Sequence, residues 1–506
     1  MPKSQDIKKI HFIGIGGIGV SALARYYLAK GVLVSGSDAA ESEITEELKR
    51  LGAKIPLVSL SRERSGPNPS FLKGGADDVD LLIYSAAVQE DNPELTEARK
   101  KGIKCQTYAE ALGDLTKKYF TIAVSGMHGK STTTAMIGLI MEAAGLDPTV
   151  IVGTKVRWNQ DGEKIPPSPS RDKHGTSFFA KGGETSNCRI GKSKYLVIEA
   201  DEYDRSFLNY WPKIIVLTNI EEEHLDTYKN LEHIKEVFVE YLSHLSEDGL
   251  LIANDEDKNV QDLISNFKFL ISKKVQKLAP SKVKGFKVQN YSSNLKVDGL
   301  NLKIPGAHNL SNAAAAITAA RILDVPDEVS VKALNNFTGT WRRMEYKGLV
   351  NGAKIYDDYG HHPTEIKATL KGARELLVKG AKPDAKLWCV FQPHQYQRTY
   401  KLFDNFLSAF DQADKAILLP IYSVAGRENE EIKNKVNSDI LAEAIKAQIA
   451  DNKSQSANLK EVLSLDSFEK AAEYLKKNLA ENDICIIMGA GDIYKLSEKL
   501  KVKSLS

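Results

Sequence analysis

The sequence predicts an α/β protein of three domains, each built on a parallel sheet. Three observations point there. A glycine-rich turn, Gly14–Gly19, follows the first strand-like run, and a second glycine turn tipped by Lys130 follows the run Phe120–Ser125. Strand-like and helical patterns then alternate to the end of the chain. At 506 residues the chain is too long for a single hydrophobic core. The expected boundaries are 1–118, 119–340 and 341–506.

In the first region Lys9–Ile15 reads as a strand and Ser21–Lys30 as an amphipathic helix closed by Gly31. Val32–Ser35 and Asp80–Ser85 read as further strands. In the second, Phe120–Ser125, Tyr195–Ile198 and Ile214–Thr218 are apolar and β-branched enough to be buried strands. Trp158–Lys181, polar with Ile-Pro-Pro-Ser-Pro-Ser, reads as a surface insertion, and the alanine-rich Asn312–Ile322 as a helix. The third region offers strands at Lys354–Tyr356, Leu387–Phe391, Ala416–Leu419 and Ile484–Met488, with a polar loop at Ala450–Asn458.

Composition narrows the function. The 69 basic and 66 acidic residues leave a net charge of +3, which gives no reason to propose nucleic acid or an anionic membrane as partner. Cys105, Cys188, Cys389 and Cys485 are far apart and form no Cys-x-x-Cys pair, against a zinc or disulfide framework. The apolar run near the start is broken by glycines and nothing approaches membrane-spanning length, so a cytoplasmic protein is expected. No feature specifies an oligomeric state.

The most informative stretch is Thr121-Ile-Ala-Val-Ser-Gly-Met-His-Gly-Lys-Ser-Thr-Thr-Thr134. A strand, a glycine turn and a helix opening on Lys130 and Ser131 make an anion cradle. The turn is expected to aim backbone N–H groups at phosphate oxygens, Lys130 adds a full positive charge, and the Ser131 hydroxyl suits Mg²⁺, so Gly126, Met127, His128, Gly129, Lys130, Ser131 and Thr132 are the expected ATP-binding residues. The spacing is shorter than the common P-loop, with Val124 where the first glycine would stand.

Gly14-Ile-Gly16-Gly17-Ile-Gly19 is a second phosphate-facing fingerprint, with Asp38 19 residues beyond Gly19. It specifies a pyrophosphate, of a dinucleotide or of a UDP-sugar. In the central region two strands end in polar residues, Glu199-Ala-Asp201-Glu202 and Asn219-Ile-Glu-Glu-Glu223-His224. Ligands sit beyond the carboxyl ends of parallel strands, so Glu199 and His224 should converge with Lys130 and Ser131 around a bridging metal. Glu221 and Glu222 read more simply as solvated acids.

The order of these motifs resembles the Mur ligases, ATP-dependent amide-forming enzymes that build the peptide stem of peptidoglycan. The matching pieces continue through Gly306-x-His-Asn309-x-x-Asn312, Arg342-Arg343, Asp357-Asp-Tyr-Gly-His-His-Pro363 and Phe391-Gln-Pro-His394, so they span nearly the whole chain. Two positions depart from the family pattern: Glu223 stands where aspartate is usual, and Gln395 where arginine is usual.

The resemblance implies an N-terminal Rossmann-like UDP-binding domain, a central P-loop-type ATP-binding domain and a C-terminal Rossmann-like domain that takes the acceptor amino acid. It implies ATP with Mg²⁺ or Mn²⁺ as cofactors, and UDP-N-acetylmuramate and L-alanine as substrates. By the same resemblance Gly14, Gly16, Gly17, Gly19, Asp38 and Ser85 would hold the UDP moiety. Lys130 would contact the transferred phosphate, with Ser131, Glu199 and His224 on the metal ions. Asn309 and Asn312 would face adenine, and Arg343 and Asp357 would serve the rest of ATP. Tyr359, His361, His394 and Arg398 would line the acceptor side. The alternatives left open are a ligase that recycles murein tripeptide onto the same sugar nucleotide, and a precursor-binding sensor without catalysis.

Overall fold

A computed structural model describes residues 7–56, 79–158, 185–223, 227–246, 248–275, 286–380, 384–423, 430–451, 458–500 and 502. Among them, three sheets carry the architecture. The first joins β1 (Lys9–Ile13), β2 (Leu33–Ser37), β3 (Leu81–Tyr84) and β4 (Lys104–Thr107) in the order β2-β1-β3-β4, all parallel. The second joins β5 (Phe120–Ser125), β6 (Thr149–Arg157), β7 (Thr185–Arg189), β8 (Tyr195–Glu199), β9 (Ile214–Leu217), β10 (Leu250–Asn254) and β11 (Lys287–Tyr291) in the order β11-β10-β9-β5-β8-β6-β7. The third joins β12 (Glu345–Val350), β13 (Ala353–Asp358), β14 (Leu387–Phe391), β15 (Lys415–Leu418), β16 (Glu461–Ser464) and β17 (Ile484–Met488) in the order β12-β13-β17-β14-β15-β16.

Parallel strands covered on both faces read as continuous apolar runs, which is why β5, β14 and β17 fall on the expected residues. Expected boundaries move where a glycine acts. The first strand ends at Ile13 and not Ile15, because Gly14 turns the chain at φ +76°. The alanine-rich helix begins at Ala307, directly after Gly306 at φ +99°, and runs to Ile322. Two edge strands depart from the parallel pattern: β7 runs antiparallel to β6, and β12 antiparallel to β13. Their sequences, Thr-Ser-Asn-Cys-Arg and Glu-Tyr-Lys-Gly-Leu-Val, are too polar to announce a buried strand. The expected insertion after Trp158 and most of the loop at 450–458 lie outside the described residues.

The chain divides into two compact units, residues 1–301 with 311–336, and residues 302–310 with 337–506. In the first unit Ile10, Phe12 and Leu23 share one apolar core with Ala123, Ile215 and Phe238, so the first two sheets are packed together. Asn187 of β7 donates to the Ile18 carbonyl and the Ser21 hydroxyl, which ties the helix Ile18–Ala29 to the second sheet. In the second unit β14 alternates Leu387, Cys389 and Phe391 towards one core with Trp388 and Val390 towards another. All four cysteines are free, and Cys188, Cys389 and Cys485 are buried. Among the described residues no helix is long and apolar enough to cross a membrane.

Candidate functional site

The lysine-tipped turn connects β5 to the helix Lys130–Ala143. Gly126 sits at φ +127° and Gly129 at φ +83° as the helix N-cap, conformations that side chains rarely adopt. Space forbids them as well: a Cβ on Gly126 would lie 2.2 Å from Thr218 Oγ1, and one on Gly129 2.4 Å from Asn312 Oδ1. The residues after β9 brace the turn. Asn219 accepts the His128 N–H at 2.9 Å and donates to the His128 carbonyl at 2.9 Å, while its own carbonyl accepts the Met127 N–H at 3.3 Å. The Thr218 hydroxyl donates to the His128 carbonyl at 2.7 Å. Glu221, read from sequence as a solvated acid, pairs instead with His128 Nε2 at 3.1 Å.

Lys130 Nζ donates to the Gly126 carbonyl at 2.8 Å and to both Glu202 oxygens at 2.9 Å. Burial opposes the ammonium charge, but the carboxylates of Glu202, Asp201 and Glu199 outweigh it and raise the Lys130 pKa, so the lysine is charged. The Ser131 hydroxyl donates to Glu199 at 2.9 Å, and the other Glu199 oxygen accepts the Gly153 N–H at 2.8 Å. Ser131 and Glu199 thus converge as expected and offer two oxygen donors, the chemistry a hard divalent cation selects. The expected third partner, His224, lies outside the described residues; Glu223 beside it is buried. Thr132 is buried in the first turn of the helix, and Asn312 accepts the Thr133 hydroxyl at 3.2 Å, against the same helix.

The other glycine loop follows β1. Gly14 and Ile15 donate to the Ser37 carbonyl at 2.8 and 3.1 Å, and Gly17 donates to the Gly14 carbonyl at 3.1 Å and caps the helix that contains Gly19. Asp38, expected against a ribose hydroxyl, takes the Gly16 N–H at 2.7 Å and so braces the loop itself. Ser85 follows β3, its N–H bonded to the Ile13 carbonyl at 3.1 Å.

In the second unit the two consecutive arginines separate in role. Arg342 is 3% exposed, with Nε on Asp357 Oδ1 at 3.2 Å and the guanidinium also on the Gly491 and Gly489 carbonyls. Burial pushes Asp357 up to about 6 in spite of Arg342, and its 1% exposure marks it as a group of the interior. Arg343 is a third exposed and pairs with Glu365 at 3.0 Å; burial opposes its charge, and Glu365 and Asp358 outweigh that and raise its pKa. The Tyr359 ring lies beneath both guanidiniums, 5.2 Å from Arg342 and 5.4 Å from Arg343. Glu365 also accepts the His361 N–H at 3.0 Å, and His361 packs beside His394 at 5.9 Å. His394 stacks on Tyr422 at 5.4 Å. Its Nδ1 lies 3.2 Å from Arg398 Nη1, which can only donate, so the imidazole proton sits on Nε2. Tyr359, His361, His394 and Arg398 therefore form one cluster. Asn309 donates to the Pro305 carbonyl at 2.6 Å.

Sequence reasoning assigned no role to Glu202, Asn219, Glu365 or Tyr422. All four follow strand ends or begin a helix, and Glu202, Asn219 and Tyr422 meet partners far away in sequence, as Glu365 does in Arg343. His308, within the Gly306–Asn312 motif, is pushed down to about 4 by burial, with Arg343 adding to the effect. The unfolded chain then binds the extra proton more readily, so stability should fall as pH drops from about 6.5 towards 4. We expect this residue to contribute up to about 3 kcal/mol of that loss. In urea titrations His308→Gln should flatten the slope over this window; an unchanged slope would contradict the assignment.

A lysine-tipped glycine turn on a mostly parallel sheet, a second glycine loop on a parallel sheet and a third, mostly parallel sheet define an α/β protein of modular build, of the kind that binds nucleotides. Family models agree along the chain: the Mur ligase family catalytic domain matches residues 9–120, the Mur ligase middle domain 124–320, and the Mur ligase glutamate ligase domain 342–491. The chain belongs to the Mur ligase family. It is 40% identical over 503 residues to a UDP-N-acetylmuramate–L-alanine ligase of Acetivibrio thermocellus, covering 97% of this chain and 95% of that one. It is 39% identical to the ligase of the same name from Clostridium tetani, covering 97% of each. Among solved structures, the UDP-N-acetylmuramate–alanine ligase of Thermotoga maritima shares the fold at a TM-score of 0.68 and 24% identity, covering 97% of this chain and 98% of that one. A murein peptide ligase of Psychrobacter arcticus shares it at 0.61 and 23%, covering 98% and 100%.

Proposed function

We propose that this chain joins L-alanine to the lactyl carboxylate of UDP-N-acetylmuramate at the expense of ATP, as a cytoplasmic step in peptidoglycan precursor synthesis. The observation that carries this reading is near-full-length identity of 39–40% to relatives that bear that activity in their names. The convergence of Lys130, Ser131 and Glu199 agrees with it.

An amine does not displace oxide from a carboxylate at neutral pH, so the carboxylate needs a leaving group. Its oxygen attacks the γ-phosphorus of ATP, ADP departs, and an acyl phosphate forms. The amine of L-alanine then adds to the acyl carbon, and the tetrahedral intermediate expels phosphate. Protein groups contribute position and charge. Gly14–Gly19 and Ser85 hold the UDP end, with Asp38 keeping the loop in shape. Lys130 contacts the transferred phosphoryl group, and Asn309, Asn312 and Arg343 bind the rest of the nucleotide. Ser131 and Glu199, with His224, would hold Mg²⁺, which when bound neutralises phosphate charge. Tyr359, His361, His394 and Arg398 orient the amino acid, Arg398 as the cation for its carboxylate.

The test is phosphate release from ATP with UDP-N-acetylmuramate, comparing L-alanine, glycine, L-serine and murein tripeptide. L-Alanine is expected to give the highest kcat/KM. Activity with tripeptide alone would reassign the chain to precursor recycling. Tight sugar-nucleotide binding without phosphate release would make it a sensor.

A further inference from the structure

We propose that Glu202 is a positioning residue that acts through Lys130, holding its ammonium against the phosphate turn and weakening the ground-state grip on ATP. The inference rests on the reading of Lys130 as the phosphate-contacting group.

Glu202 is wholly buried, and both its oxygens lie 2.9 Å from Lys130 Nζ. The Gly126 carbonyl at 2.8 Å and the Met127 carbonyl at 3.3 Å hold the same nitrogen from the turn. An ammonium has three N–H groups, so the carboxylate and the turn together occupy the donors a phosphate would otherwise claim. The Glu202 backbone is fixed too. Its carbonyl accepts the Tyr228 hydroxyl and the Arg205 N–H, and the turn that follows keeps Asp204 and Arg205 at φ +50° and +57°. Non-glycine residues in that region carry strain that surrounding structure must offset. A buried ion pair is weak evidence for stability, because an apolar pair of similar volume serves as well. Its place at the tip of the turn makes positioning the better account.

The consequence follows from charge. A triphosphate approaching Lys130 meets a lysine whose charge is already matched and whose neighbour repels it. Binding energy made equally in ground and transition states does not raise kcat. A lysine released from Glu202 would follow the ground-state phosphate and deepen that well.

The experiment compares wild type, Glu202→Gln and Glu202→Asp. It measures calorimetric titration with AMP-PNP and Mg²⁺, steady-state kinetics in ATP, and urea unfolding. Gln keeps the shape and removes the charge, and Asp returns the charge. The Gln variant should bind AMP-PNP about tenfold more tightly and lose about tenfold in kcat, with KM for ATP lowered, as expected for one desolvated charge beside the phosphate. The Asp variant should return affinity to the wild-type value. Unchanged or weaker AMP-PNP binding by a folded Gln variant overturns the inference while the ATP reading stands. A Gln variant that fails to fold beside a wild-type-like Asp variant assigns Glu202 to the fold alone and overturns it too. Absence of AMP-PNP binding by the wild type overturns the ATP reading and this inference with it.

Discussion

Replacing Lys130 with alanine should lower ATP turnover by about 10³-fold or more while leaving affinity for UDP-N-acetylmuramate within about twofold. On the proposed reading the lysine meets the transferred phosphoryl group, whereas the glycine loop proposed for the sugar nucleotide follows a strand of a different sheet. The substitution also removes the cation facing Glu202, whose carboxylate is 0% exposed, so a stability loss is expected alongside the kinetic loss. Lys130→Met combined with Glu202→Gln separates the two effects. It removes the buried carboxylate charge together with the ammonium and should recover much of the unfolding midpoint without recovering turnover. Wild-type phosphate release by either variant would remove Lys130 from the chemistry.

The second large effect falls on the neighbouring arginines, in opposite ways. Arg342→Met should destabilise the second unit by about 3–5 kcal/mol, because it leaves Asp357 buried without the cation that favours its charged form and frees the carbonyls of Gly489 and Gly491. Arg343→Met should cost far less stability, since that guanidinium is a third exposed, but should depress kcat/KM for ATP by about 10²-fold. Urea unfolding and steady-state kinetics on the pair decide it. Equal stability losses would mean that the two arginines do not divide structure from function in this way.

That division was not legible in the sequence, where Arg342-Arg343 reads as one motif. The two side chains part because Arg342 sits at φ +56° and turns towards Asp357 and the Gly489–Gly491 turn, which only tertiary structure brings near. What could be read was whatever a short segment determines by itself. Phe120–Ser125 declares a buried strand, the glycines after it declare a phosphate turn, and Ser131 with Glu199 follows from the rule that ligands gather beyond strand ends. What escaped depends on distant partners. Asn219 and Glu202 look like ordinary loop polar residues until β9 and β8 are set on either side of β5. Asp38 fits a ribose by spacing, and the structure adds a bond the spacing does not announce, from the Gly16 amide to its carboxylate. Polar edge strands such as β7 give no periodic signal, since a sheet margin needs few apolar side chains.

Both glycine loops are shaped from the adjacent strand: Thr218 and Asn219 after β9 for one, Ser37 at the end of β2 and Asp38 after it for the other. These bonds occupy the Gly14, Gly16, Gly17, Met127 and His128 amides and fix the backbone of each loop before any ligand arrives. Little conformational freedom is left for a nucleotide to remove, so its contacts count almost fully towards affinity. Such loops should tolerate changes within their own variable positions better than changes in the neighbouring residues that scaffold them.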